Sequence, residues 1–433
     1  MLKVIGSEAV GAYYKAQRLP YLLTRAKNVA SAEAKGPQVG SNAHRRILYN
    51  DVSAYQEAEA VVDFVNLKQS KGNYVVDTDG NSLLDVSGTE LNPLGYNHEA
   101  ILKLTYSQLV DSSIINSNLT TNEVVGTEFF KIINQSFMPL APSGLNSVTF
   151  TRGGQAVEKA VMTAIAERNT GSGERLSAIG FAGSNHGLKT SFINNLFNQT
   201  HKLPTFDWPV LNYPTNQQNE AQILEKINHT FHNQSVAAVI VEPVHSSTGI
   251  AASDSFLNEV SSLTKTHGAA LIVDASDSGC GATGKSFWGF NGHADYVVFG
   301  RRSYAEGYYS RASSKAASIT FGGDLLRLMQ FRALKDVIET ERLVDRVSTV
   351  GQHLRRQVEN AASNKAGITG VTGQGTSLFI NTRDEATAQQ LHSHLLKQGV
   401  ITRLNGSRGV SLKPALILEE RHADVISSAL SRF

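Results

Sequence analysis

A single cysteine, Cys280, in 433 residues leaves no partner for an intrachain disulfide. It also excludes zinc or iron–sulfur sites built on paired thiolates. No apolar run approaches 18 residues, so no membrane span is expected. Charge of one sign is lacking too. Against 40 Lys plus Arg stand 38 Asp plus Glu, a net charge of +2, and no strongly basic domain marks a nucleic-acid footprint. What is present is a globular balance, 41% hydrophobic and 18% charged, that excludes a disordered chain.

Residues 1–35 differ from the rest. They carry Lys3, Lys15, Arg18, Arg25, Lys27 and Lys35 against only Glu8 and Glu33, with apolar and aromatic residues interleaved. An Arg-bearing, acid-poor, amphipathic segment is the composition of a mitochondrial transit peptide, or of a basic docking arm that is kept. Mitochondrial location, on the matrix side, is the expectation.

Further along, residues 73–77 and 83–86 read as a hairpin around Asp79-Gly80. Val124, Val125, Phe129 and Ile132 share a helical face. Then strands (146–151, 178–181, 236–241, 269–273, 296–299) alternate with helices (155–168, 221–231, 255–267). Short apolar strands between helices mean a mostly parallel sheet covered on both faces. After Asp324 the pattern is long and helical to about 362. A strand at 376–380 and helices at 385–399 and 419–433 close the chain as a smaller α+β region.

Ordered motifs run along this frame. They are Asn73-Tyr74-Val75-Val76-Asp77-Thr78-Asp79-Gly80-Asn81, Leu94-Gly95-Tyr96-Asn97-His98 and Leu203-Pro204-Thr205-Phe206-Asp207-Trp208-Pro209. Val241-Glu242-Pro243, Ile272-Val273-Asp274, Gly281-Ala282-Thr283-Gly284-Lys285, Thr320-Phe321-Gly322-Gly323-Asp324 and Lys413-Pro414 follow. Over about residues 37–433 this set resembles the mitochondrial 4-aminobutyrate aminotransferases, class III enzymes of fold type I that use pyridoxal phosphate. The resemblance implies an α/β fold, with a large domain on a seven-stranded-type, mostly parallel sheet and a small α+β domain from both chain ends. The expected division is 1–35 basic segment, 36–105 first part of the small domain, 106–325 large domain, and 326–433 the rest of the small domain. A dimer with active sites at the subunit interface is also implied.

Against the family's pattern the site reads as dismantled. The catalytic lysine that follows a short strand and precedes a glycine pair is matched by Arg301, in Val298-Phe299-Gly300-Arg301-Arg302-Ser303-Tyr304-Ala305-Glu306-Gly307. A guanidinium stays protonated and forms no Schiff base. Lys315 is the nearest substitute. The Phe-His-Gly-Arg motif reads Asn185-His186-Gly187-Leu188, so the ring-stacking aromatic and the carboxylate-gripping arginine are both gone. The second glutamate after Val-Glu-Pro is Ser247, and its arginine partner is Lys413. The glutamine near the cofactor's phenolic oxygen is Asp277. The cluster-binding Cys-Gly-Ser-Cys stretch of animal members is Arg152-Gly153-Gly154-Gln155. Asp274 survives at the strand end where the pyridinium nitrogen would sit. Gly153 and Gly154 survive between strand and helix, where N–H groups can cradle an anion. Thr320 matches a threonine that reaches a phosphate across the dimer interface.

Three other features carry less. Gly279 to Gly284 has G-x-G-x-x-G spacing, but neither a following helix nor a ribose-binding acid supports a dinucleotide site. His186, His245 and His293 lack metal-ligand spacing. Cys280 has no nucleophile motif around it.

The expectation is therefore a non-catalytic relative with no cofactor, or with pyridoxal phosphate held only non-covalently. It would serve as a structural subunit of a mitochondrial assembly, paired with itself or a paralogue and bound to other protein subunits. The alternatives are an ω-aminotransferase using a non-standard lysine, or a non-covalent binder of pyridoxal phosphate or another metabolite.

Overall fold

The computed structural model describes residues 65–88, 93–105, 127–168, 175–187, 191–198, 206–311, 323–406 and 409–433. Strands β1 (Tyr74–Val76) and β2 (Ser82–Asp85) form the expected hairpin. The turn is held by Asp77, whose Oδ1 accepts from the amides of Asp79 and Asn81. Short helices α1 (Glu99–Leu104) and α2 (Thr127–Ile132) follow, the second running into a π-helical turn at Ile133–Phe137.

Seven strands then make the large sheet. They are β3 (Ser147–Thr151), β4 (Ser177–Phe181), β5 (Val210–Leu211), β6 (Val236–Val241), β7 (Ala270–Asp274), β8 (Tyr296–Phe299) and β9 (Glu306–Ser310). Their order across the sheet is β3-β9-β8-β7-β6-β4-β5. All neighbours pair in parallel except β9, which is antiparallel to both β8 and β3. Interleaved with the strands are α3 (Ala156–Arg168), α4 (Phe192–Asn198), α5 (Gln217–Asn233) and α6 (Asp254–Thr266). β6 is buried at every position. Its Val239 and Val241 enter one apolar cluster with Val273 and Phe299, while Ala238 and Ile240 enter another with Ile272 and Val298. Successive side chains thus fill opposite faces, as a doubly covered sheet requires.

The long helical stretch is two helices, α7 (Leu325–Thr340) and α8 (Leu343–Ala362), broken where Arg342 takes φ +51°. Next come β10 (Ile368–Gln374), β11 (Ser377–Thr382), α9 (Glu385–Lys397), β12 (Val400–Ile401), β13 (Arg403–Leu404), β14 (Gly409–Leu412) and α10 (Glu420–Ser431). β12 pairs in parallel with β2, and Leu84 and Val86 share one apolar cluster with Leu378, Val400 and Leu430. The hairpin and the C-terminal elements therefore have a common core. Among the described residues no helix is long and apolar enough to cross a membrane.

Candidate functional site

Parallel sheets gather ligands outside the carboxyl ends of their strands, and the chemistry-bearing residues lie there. Arg152, Gly153 and Gly154 follow β3. Asn185, His186 and Gly187 follow β4. Glu242 follows β6, Asp274 ends β7, and Arg301 follows β8. A cavity of about 340 Å³ is lined by Gly153, Gly154, Gly187, Ser276, Arg301 and Glu306, among others.

Asp274 is buried outside that lining, and its Oδ2 accepts from His186 Nδ1 at 2.8 Å. Its Oδ1 accepts from the Ser276 amide at 3.1 Å. Burial pushes the carboxyl up, but His186 and Arg301 more than offset it, and the group sits below its ordinary value. Glu242 lies alongside, raised chiefly by burial. It accepts from Asn185 N at 3.3 Å and from Ser246 N at 3.1 Å. His186, Glu242 and Asp274 bring potential ligand atoms within 4.8 Å of one another. Both carboxylates accept hydrogen bonds from within the protein, while His186 Nε2 is buried without a partner.

Arg301 reaches Asp277. Its Nη1 lies 3.0 Å from Asp277 Oδ1, and its Nη2 donates to the carbonyl of Asn185 at 2.8 Å. Lys413 Nζ holds the other oxygen of Asp277, also at 3.0 Å. Burial raises Asp277, yet the two cations hold it far below the usual carboxylate range. At φ +20° the Arg301 backbone lies where side chains are uncommon.

The residue that sequence reasoning missed is Glu306. Its Oε2 accepts from Gly154 N at 2.7 Å, and its Oε1 from Ala156 N at 2.9 Å and Thr151 Oγ1 at 2.7 Å. Register explains the placement, since Thr151 pairs with Glu306 across β3 and β9. The available signal was that Glu306-Gly307 stands where the resemblance puts a glycine pair.

So Gly153, Gly154, Asn185, His186, Asp274, Asp277 and Arg301 come together, while Thr320, Leu188 and Lys315 lie outside the described residues. Cys280 is buried and pushed up to about 12 by that burial, which suits an idle thiol. His293 lines a separate surface groove with Lys265 and Arg311. His245 is buried as well. Its Nδ1 pairs with Thr248 Oγ1 at 2.8 Å, and its ring stacks on Tyr213.

The aminotransferase class-III family model matches residues 55–433. The mouse mitochondrial 4-aminobutyrate aminotransferase is 29% identical over 89% of this chain and 87% of its own length. The Dictyostelium discoideum 4-aminobutyrate aminotransferase is 27% identical over 94% and 90%. The lysine aminotransferase from M. tuberculosis shares the fold at a TM-score of 0.78 with 21% identity, over 90% of this chain and 98% of that one.

These matches correct the expectation that no cofactor is taken. Class III aminotransferases, the 4-aminobutyrate enzymes among them, use pyridoxal phosphate. That expectation equated an arginine where the resemblance puts the lysine with loss of the whole site, and the buried Asp274 carboxylate remains. The residues fit this cofactor unevenly. At the ring end they fit: Asp274 is buried and charged, and His186 Nε2 and Asn185 Oδ1 are buried without partners. Where the resemblance puts the covalent link they do not, because Arg301 is no amine nucleophile. At the phosphate end the helix start is already filled by Glu306.

Proposed function

Because this chain belongs to the class-III aminotransferases, we propose that it uses the family's site to bind pyridoxal phosphate non-covalently, with Asp274 as the anchor and no imine at residue 301. The carrying observation is the buried pair of Asp274 and His186, whose neighbours Ser276 and Gly187 line a cavity of about 340 Å³ together with Arg301, the match to the family's lysine. When bound, the cofactor supplies an electron sink for amino-acid chemistry. This chain's residues supply position and charge. Asp274 presents a fixed carboxylate, His186 orients it, and Arg301 and Lys413 share Asp277, which leaves the rim positive.

A second reading is an ω-aminotransferase using another lysine. Similarity to 4-aminobutyrate aminotransferases along most of the chain favours it, and Lys413 places an amine in the site. The scaffold role rests only on what the site has lost, and it stands behind both readings. Mitochondrial location is supported by the mitochondrial relatives and by the basic, acid-poor residues 1–35.

The test is to saturate the purified chain with pyridoxal phosphate, treat one half with borohydride, and dialyse both. Cofactor that dialyses away from both halves and binds less tightly in Asp274→Ala supports the non-covalent reading. Cofactor fixed to Lys413 or Lys315 supports the second. Binding untouched by Asp274→Ala, with no fixed lysine, sinks both.

A further inference from the structure

The filled helix start is where this chain and its family's cofactor disagree. Gly153 and Gly154 take φ of +70° and +75° in succession just before the Ala156–Arg168 helix, and the Gly154 N–H donates to Glu306. A carboxylate placed there gains charge-assisted hydrogen bonds and the favourable end of the helix dipole. Glu306 takes that place with three donors, Gly154 N, Ala156 N and Thr151 Oγ1. A phosphate would need the same donors. Two anions cannot share them without strong repulsion.

Glu306 also has somewhere to go. It borders the cavity that holds Arg301 and a second of about 230 Å³ that holds Asp324, and Arg327 lines both. Rotation toward Arg327 would exchange backbone donors for a guanidinium and clear the helix start.

We propose that Glu306 is an internal stand-in for phosphate, so that a phosphate-bearing ligand enters this site only by displacing it. The proposal deepens the reading above and rests on it for the class of ligand. The Glu306 carboxylate sets a low resting affinity, and loss of its charge raises it.

The experiment uses the full chain as wild type, Glu306→Gln and Glu306→Ala. Three probes are titrated: pyridoxal phosphate and pyridoxal by equilibrium dialysis, and inorganic phosphate by thermal shift. Affinity for pyridoxal phosphate should rise on the order of tenfold in both variants, and pyridoxal affinity should barely change. Inorganic phosphate should stabilise the variants and not the wild type. If the Ala variant does not fold, the near-isosteric Gln variant decides. Unchanged affinity for pyridoxal phosphate, with pyridoxal binding all three proteins, overturns the stand-in and leaves the binder reading intact. Phosphate stabilising only the variants, while neither vitamer binds, upholds the stand-in and removes the binder reading. A variant that is merely less stable, with no gain for any phosphate probe, reduces Glu306 to a helix cap and overturns the proposal.

Discussion

Arg301 shows how one side chain can preserve electrostatics while excluding a reaction. Its planar fork spans Asp277 and the Asn185 carbonyl. A lysine offers a single ammonium and cannot reach both in the same geometry. Arg301→Lys is therefore expected to lower stability by about 1–2 kcal/mol, read as a shifted urea midpoint. It should yield no transamination of 4-aminobutyrate, because Glu306 and Asp277 still stand in the site. Appearance of activity in this single variant would refute that expectation. His245 supplies a pH prediction. Burial pushes its imidazole down to about 4 from an ordinary value near 6.5. The unfolded chain then binds the proton first as pH falls. Stability is whole above about pH 6.5 and drains between there and about pH 4, by roughly 3 kcal/mol for this group. Urea midpoints across that window should fall less steeply in His245→Asn. Asp274 was legible in the sequence because a lone acid ending an apolar strand is conspicuous. Glu306 was not, because its partners at 151, 154 and 156 meet it only through strand register.

Among the elements, the alternation of short apolar strands and helices could be read directly, and the boundaries of β6 and β8 fall where the apolar runs stop. β9 escaped notice. Its burial comes from being antiparallel between β8 and β3, a pairing that leaves no local mark in Glu306–Ser310 beyond two tyrosines. The break between α7 and α8 escaped for a different reason. The apolar period continues across it, while Arg342 at φ +51° turns the backbone. An arginine in the left-handed region is strained and a glycine is not. Arg342→Gly should accordingly stabilise the chain by about 1 kcal/mol, despite loss of the exposed contact with Asp345. A lowered urea midpoint in this variant would show that the Asp345 contact outweighs the strain. At the α7 start, Asp324 Oδ1 accepts from Leu326 N and Arg327 N. Asp324→Ala should cost about 1 kcal/mol, measurable in the same way.

For the whole molecule, the resemblance implies pairing, and we propose that the chain forms a dimer across the face that carries the site. Light scattering should then give twice the chain's 46.8 kDa. A monomer at micromolar concentration would exclude it, since obligate interfaces bury on the order of 2,000–5,000 Å² and do not come apart there. The seven-stranded sheet was legible as a class. The way the hairpin closes against β12 was not, because two short strands from far apart in sequence carry no common pattern. That closure orders events during synthesis. Leu84 and Val86 donate their amides to the carbonyls of Gly399 and Ile401. At typical elongation rates those acceptors leave the ribosome on the order of tens of seconds after the hairpin does. Until then the nascent chain carries a bare strand edge, a template for wrong pairing. Stalled ribosome–nascent-chain complexes halted before residue 399 should therefore recruit chaperones at 74–86, and longer ones should let them go.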